Sequence, residues 1–130
     1  MPRTRLFLSD LDDSLKNILG GSMQLIEKSL TTTSLPVGAN VVDIDLGTAK
    51  ALLKTIRVTP SAPAPKFSVE ILNKVTDGSV EYNSLDQTAE LYDMVDLPYV
   101  DGDGGTKLHL RINNQVESAY TIQIRALPLT

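Results

Sequence analysis

The stretch KLHLRINNQVESAYTIQIRA, residues 107–126, decides how the rest of the chain is read. Leu108, Leu110 and Ile112 alternate with Lys107, His109 and Arg111. After a short interruption, Tyr120, Ile122, Ile124 and Ala126 alternate with Thr121, Gln123 and Arg125. A period of two places every second side chain on one face, the signature of a half-buried strand. The intervening NNQVES predicts a hairpin loop of about four to six residues between the two strands.

The same period runs upstream. VVDIDL (41–46) sets Val42, Ile44 and Leu46 against Asp43 and Asp45, TIRVT (55–59) sets Ile56 and Val58 against Arg57, and KFSVEIL (66–72) sets Phe67, Val69 and Ile71 against Ser68 and Glu70. MQLIEKSLTTT (23–33) predicts a further strand of blurred phase, and LGTAKALLK (46–54) is compatible with a helical turn. TPSAPAPK carries Pro60, Pro63 and Pro65, which predicts an extended surface crossing because proline cannot donate to a sheet interior. Only SDLDDSLKNIL (9–19) has a helix signature. Ser9 is an N-cap, Asp10, Asp12 and Asp13 lie at the positive end of the dipole, and Leu11, Leu15, Ile18 and Leu19 form one apolar face before Gly20-Gly21. The expectation is an all-β protein, an antiparallel β-sandwich of jelly-roll type, with an N-terminal arm and one short amphipathic helix. Residues 1–21 are expected to form the docking element and residues 22–130 the sandwich.

At 130 residues the chain is long enough for one domain with a core, and its 42% hydrophobic and 22% charged content is ordinary for a globular protein. It has no cysteine, so disulfides, thiolate metal sites and cysteine nucleophiles are excluded. Leu6-Phe7-Leu8 falls far short of the apolar core of a leader, and no apolar run approaches the length of a membrane span. The expectation is a soluble protein with no signal peptide and no membrane insertion. Net charge is −4, and eight of the sixteen carboxylates, from Asp77 to Asp103, follow one another with no basic residue between them. Such a segment repels nucleic acid and predicts a solvated, loop-rich acidic region.

Candidate chemistry is sparse. In DGDGG (101–105), Asp101 and Asp103 begin like a calcium loop, but counting on from Asp101 brings Gly105, Lys107 and Ile112 to liganding positions, which excludes an EF-hand. A different calcium site drawing on Asp96, Asp101 and Asp103 is a weak candidate beside a tight glycine turn. His109 is the only histidine, and alternation predicts it on the solvent face with Lys107 and Arg111. Zinc needs three or four His, Cys or carboxylate ligands, and one histidine does not suggest it. No nucleophile elbow or phosphate-cradling loop is present. The expectation is therefore a protein that is not an enzyme and has no cofactor. If the last two strands pair, Lys107, His109, Arg111 and Arg125 form a basic stripe able to discourage edge pairing or to receive a neighbouring copy's acids. Tyr82, Tyr92 and Tyr99 are the candidates for contact with a glycan, although the chain has no tryptophan.

VDIDLGTAKALLKTIRVTPSAPAPKFSVEILN (42–73) resembles the front half of a discoidin-like, galactose-binding-type jelly roll. LPYVDGDGGTKLHLRINNQVESAYTIQIRAL (97–127) resembles the last hairpin of small β-sandwich proteins found on tailed-phage virions. The second resemblance implies a non-enzymatic tail, neck or fibre-associated component of the virion, made in the host cytoplasm. Its partners would be other virion proteins and further copies of itself, engaged through Arg3, Arg5, Leu6, Phe7, Leu11 and Leu15. The alternatives it leaves open are a capsid decoration protein and a carbohydrate-binding module for host-surface glycans.

Overall fold

A computed structural model describes residues 25–129. They form eight strands: β1 (Ile26–Thr31), β2 (Gly38–Asp45), β3 (Lys50–Pro60), β4 (Phe67–Leu72), β5 (Val80–Asn83), β6 (Leu91–Val100), β7 (Lys107–Asn114) and β8 (Tyr120–Pro128). They make two four-stranded antiparallel sheets, of order β1-β8-β3-β6 and β2-β7-β4-β5. Every connection except β4–β5 passes from one sheet to the other. That is the strand order of a jelly roll. The arm, the predicted helix and the boundary at residue 21 lie outside the described residues.

The alternation builds the core. Val42, Ile44, Leu53, Ile56, Val58, Phe67, Val69, Ile71, Leu108, Leu110, Ile112, Ile122 and Ile124 all point between the sheets and are buried. Phe67 and Tyr120 meet with ring centroids 5.0 Å apart and planes tilted by 59°, a favourable aromatic geometry. The proline-rich segment crosses between the sheets, but Pro60 is the last residue of β3, opposite Tyr120, and Pro65 is buried, so only part of it is the expected surface crossing.

Three expectations are corrected. β7 and β8 are not a hairpin: NNQVES contributes its first two residues to β7 and then arches to the opposite sheet. In a jelly roll, consecutive strands face each other across the core, so an arch and a hairpin demand the same alternation. LGTAKALLK is not helical, because residues 50–54 begin β3, where Ala51, Leu52 and Leu53 pair with both β6 and β8. The acidic segment is not merely loops either, since it contains β5 and the ten-residue β6. β6 is an edge strand whose side chains are mostly exposed, so it lacks the clean alternation of a half-buried strand. It is broken by a bulge opposite Lys54, where Asp96 takes a positive φ of 42°, and it contains Pro98, which an edge tolerates.

Candidate functional site

The chemically distinctive feature lies on the outer face of the β2-β7-β4-β5 sheet, along its central strand β7. His109 is opposite Asp43 of β2 in the register. Its Nδ1 is 2.8 Å from Asp43 Oδ1, and its Nε2 is 2.8 Å from Asp101 Oδ1 and 3.3 Å from Asp103 Oδ2. Alternation places His109 outward, yet its side chain is only 3% exposed. The loop between β6 and β7 folds back over it and brings Asp101 and Asp103. A basic stripe with Arg125 does not form, because Arg125 sits on the other sheet near Glu27, while Lys107 stays exposed.

That loop is fixed by Asp101, itself buried. Asp101 Oδ1 accepts the Asp103 N–H at 2.9 Å and Oδ2 accepts the Lys107 N–H at 2.9 Å. Its glycines answer to close approach. The Gly102 N–H donates to the Asn73 carbonyl, and a Cβ at position 102 would lie 2.8 Å from that oxygen. A Cβ at position 105 would lie 2.9 Å from Asp101 Oδ2. Asp103 Oδ2 also accepts the Val75 N–H, tying the loop to the segment after β4.

Both ring nitrogens of His109 face carboxylates, which requires both to carry protons. Burial pulls its pKa down, but the hydrogen bonds and charges of Asp43 and Asp101 outweigh burial and hold it above the ordinary histidine value. For Asp101, burial pushes upward and is outweighed by the Lys107 N–H, His109 and the Asp103 N–H, so its pKa lies below the usual carboxylate range. Tyr99 closes the cluster from beneath: its hydroxyl donates to the Leu72 carbonyl at 2.8 Å and accepts the His109 N–H at 3.2 Å. Burial is the main cause that pushes the Tyr99 hydroxyl up to about 12.

The network continues along β7. Arg111 Nε and Nη2 donate to Glu70 Oε1 and Oε2 at 2.9 and 3.0 Å, a bidentate pair, and Asn113 Nδ2 donates to Glu70 Oε1 at 2.7 Å. The Arg111 hydrogen bond, with help from Asn113, outweighs burial and lowers the Glu70 pKa.

Asp101, Asp103 and His109 also bring three donor atoms close enough to share a metal ion. The donor set fits a proton better. His109 Nε2 points its hydrogen at the two carboxylates, and Asp101 already accepts two backbone N–H groups, so a cation would have to displace the imidazolium proton. Asp96 does not join the group: it pairs with Lys54 on the other sheet.

Of the candidate glycan contacts, Tyr99 is buried and shows no ring face to solvent. Tyr82 is half-buried and its hydroxyl donates to Asp93 Oδ2 at 2.7 Å, so burial first, then Asp93, raises its pKa. Tyr92 is exposed, but the Arg57 guanidinium stacks 4.5 Å from its ring centroid. Arg57 Nε lies 3.0 Å from Glu90 Oε1, off the hydrogen-bond line, so the contact is an ion pair only. Together they border a cavity of about 380 Å³ on the outer face of the β1-β8-β3-β6 sheet, lined also by Glu27, Ser29, Gln123 and Arg125. The proposed arm residues Arg3, Arg5, Leu6, Phe7, Leu11 and Leu15 lie outside the described residues.

Sequence reasoning missed Asp43, Glu70, Asn113 and Arg57. The signal for Asp43 was present, as it alternates outward on an apolar strand. What the alternation does not carry is which strand lies beside it.

The fold and the cluster together define an eight-stranded jelly-roll β-sandwich whose buried ionic groups join strands to loops. Solved structures are similar to this chain, and the first of them shares that fold. One is described as CpGH89CBM32-6 produced by Clostridium perfringens, a discoidin-like carbohydrate-binding module. It matches with a TM-score of 0.52 and 15% identity over 76% of this chain and 92% of that one. Another, from a cyanophage Pam1 capsid asymmetric unit, has a TM-score of 0.48 and 9% identity over 83% of this chain and 86% of that one. No protein-family model matches the chain, and no curated protein matches it.

Proposed function

We propose that this chain is a non-enzymatic structural component of a tailed-phage virion, associated with the tail, neck or fibre and assembling through its N-terminal arm with other virion proteins and further copies of itself. The observation that carries the structural role is the closure of the buried ionic cluster. His109 and Asp101 spend their hydrogen-bonding groups on each other, on Asp43 and on backbone, which makes them a clamp on strands and loop. Exposed apolar side chains lie elsewhere, with Met94 at 70%, Leu85 at 71% and Tyr92 at 58% exposed near the free edges of β5 and β6. Such exposure suits a protein–protein contact. The resemblance of residues 97–127 to virion sandwiches supplies the setting. Capsid decoration is the variant of this reading in which the partner is the shell.

Mass spectrometry of purified particles tests the proposal. The chain is expected in the inventory, and Arg3→Glu with Arg5→Glu is expected to deplete it from particles. Particles that hold the substituted chain at the unsubstituted level would remove the arm from the proposal.

A second reading, a carbohydrate-binding module for host-surface glycans, is favoured by the fold shared with a carbohydrate-binding module and by the polar cavity beside Tyr92. Its test is a glycan array. Hits abolished by Tyr92→Ala would support it, and an empty array would dismiss it.

A further inference from the structure

We propose that the free edge of β6 is the receptor for the N-terminal segment Arg3–Leu8 of a second copy of this chain, which adds to the sheet as a fifth strand beside Leu91–Met94. The proposal rests on the assembly reading above and names the surface that reading leaves open. β6 pairs only with β3 among the described residues, so its other edge presents unpaired backbone groups. Exposed edges of this kind recruit extended chains.

The edge is guarded over only part of its length. From Val95 onward it carries the bulge, the positive φ of Asp96, the Lys54–Asp96 ion pair and Pro98, all features that discourage pairing. From Leu91 to Met94 the register with β3 is regular and none of these occurs.

The side chains on that open half sort by face, and so do those of the arm. Tyr92 and Met94 are exposed on the outer face. Asp93 points the other way, to the Tyr82 hydroxyl on the open side of the sandwich. In an extended chain Leu6 and Leu8 share one face, while Arg3, Arg5 and Phe7 share the other. One orientation lays the two leucines against Tyr92 and Met94. It also brings the two arginines to the side of Asp93, with Phe7 toward the Tyr82 ring.

Charge complementarity is what selects this edge over β2. On β2, the charge of Asp43 is offset by His109, whereas Asp93 is bonded only to the neutral Tyr82 hydroxyl. The linker from Ser9 to Gln24, with residues 9–19 in the helix the sequence predicts and 20–24 extended, spans up to ~33 Å, a reach toward a neighbouring copy.

The chain has no cysteine, so introduced thiols report without background. Full-length Leu6→Cys is mixed with full-length Met94→Cys under mild oxidation. A mixed disulfide dimer is expected at about tenfold the yield of Leu6→Cys with Val75→Cys, because a bound segment raises the local thiol concentration. Adding Arg3→Glu and Arg5→Glu to the Leu6→Cys chain should reduce the yield to that of the control. Equal yields at positions 94 and 75 would overturn the β6 site. So would preferential cross-linking to Val41→Cys on β2, although arm-dependent assembly would then stand. A Leu6→Cys/Met94→Cys chain that closes only on itself would overturn the second copy as donor. If the unsubstituted chain also sediments as a monomer and is missing from particles, the assembly reading itself fails.

Discussion

His109 Nε2 lies 2.8 Å from Asp101 Oδ1, and both side chains are almost wholly removed from solvent. One residue belongs to the central strand of a sheet and the other to the loop that precedes it. The contact therefore pins a loop across a sheet face that would otherwise be open. Removing one member of a buried charged pair strands the other, a larger effect than losing a surface ion pair.

His109→Ala should accordingly lower stability by ~3 kcal/mol, as breaking a buried pair does. Urea unfolding followed by circular dichroism measures it. A midpoint within error of the unsubstituted protein would contradict the clamp.

The clamp also predicts a stability plateau in pH. The folded pKa of His109 is raised, so its contribution is complete below the unfolded value of about 6.5 and is lost as pH rises through the folded value. The folded pKa of Asp101 is lowered, so its contribution is complete above the unfolded value near 3.8 and is lost as pH falls through the folded value. Stability should decline on both sides. His109→Gln should flatten the alkaline limb and only weaken the acid limb, where the Lys107 and Asp103 N–H groups still hold Asp101. A pH profile unchanged by His109→Gln would assign the decline to other groups.

Tyr99→Phe leaves the Leu72 carbonyl and the His109 N–H without their buried partner, at an expected cost of ~1–3 kcal/mol. Spectrophotometric titration offers an independent check. One tyrosine should ionise only near pH 12, and that step should vanish in the substituted protein. Loss of a step near pH 10, the ordinary tyrosine value, would instead show that Tyr99 is not enclosed as described.

Gly102→Ala tests why the loop reads DGDGG. A Cβ there would lie 2.8 Å from the Asn73 carbonyl and 2.7 Å from Lys74 Cγ, and the backbone oxygen cannot yield cheaply. The expected loss is ~1–3 kcal/mol, typical of overpacking. Addition of EDTA or of millimolar calcium should leave the melting temperature of the unsubstituted protein where it was. A rise that grows with calcium concentration would instead make Asp101, Asp103 and His109 a cation site.

These residues also show what was legible in the sequence. The alternation of Leu108, Leu110 and Ile112 with polar residues announced β7, and the same rule found β2, β4, β8 and the later part of β3. It could not place β8, because facing a strand across the core and pairing with it in one sheet require the same pattern. β6 escaped notice because an edge strand needs little apolar content and Asp93 and Asp96 serve as edge chemistry. His109 was expected in solvent because strand alternation describes a sheet face and is silent about a loop that returns to cover it. The acids were visible as a run, but their division into a clamp, with Asp101 and Asp103, and a strand edge, with Asp93 and Asp96, depends on the fold.

Sedimentation velocity of the full chain tests assembly through the arm most directly, comparing the unsubstituted protein with Arg3→Glu/Arg5→Glu/Leu6→Asp across a concentration series. The expected result is a concentration-dependent species larger than the 14.1 kDa monomer for the unsubstituted chain and monomer alone for the variant. Monomer at every concentration for both, together with equal recovery of both on purified particles, would contradict it.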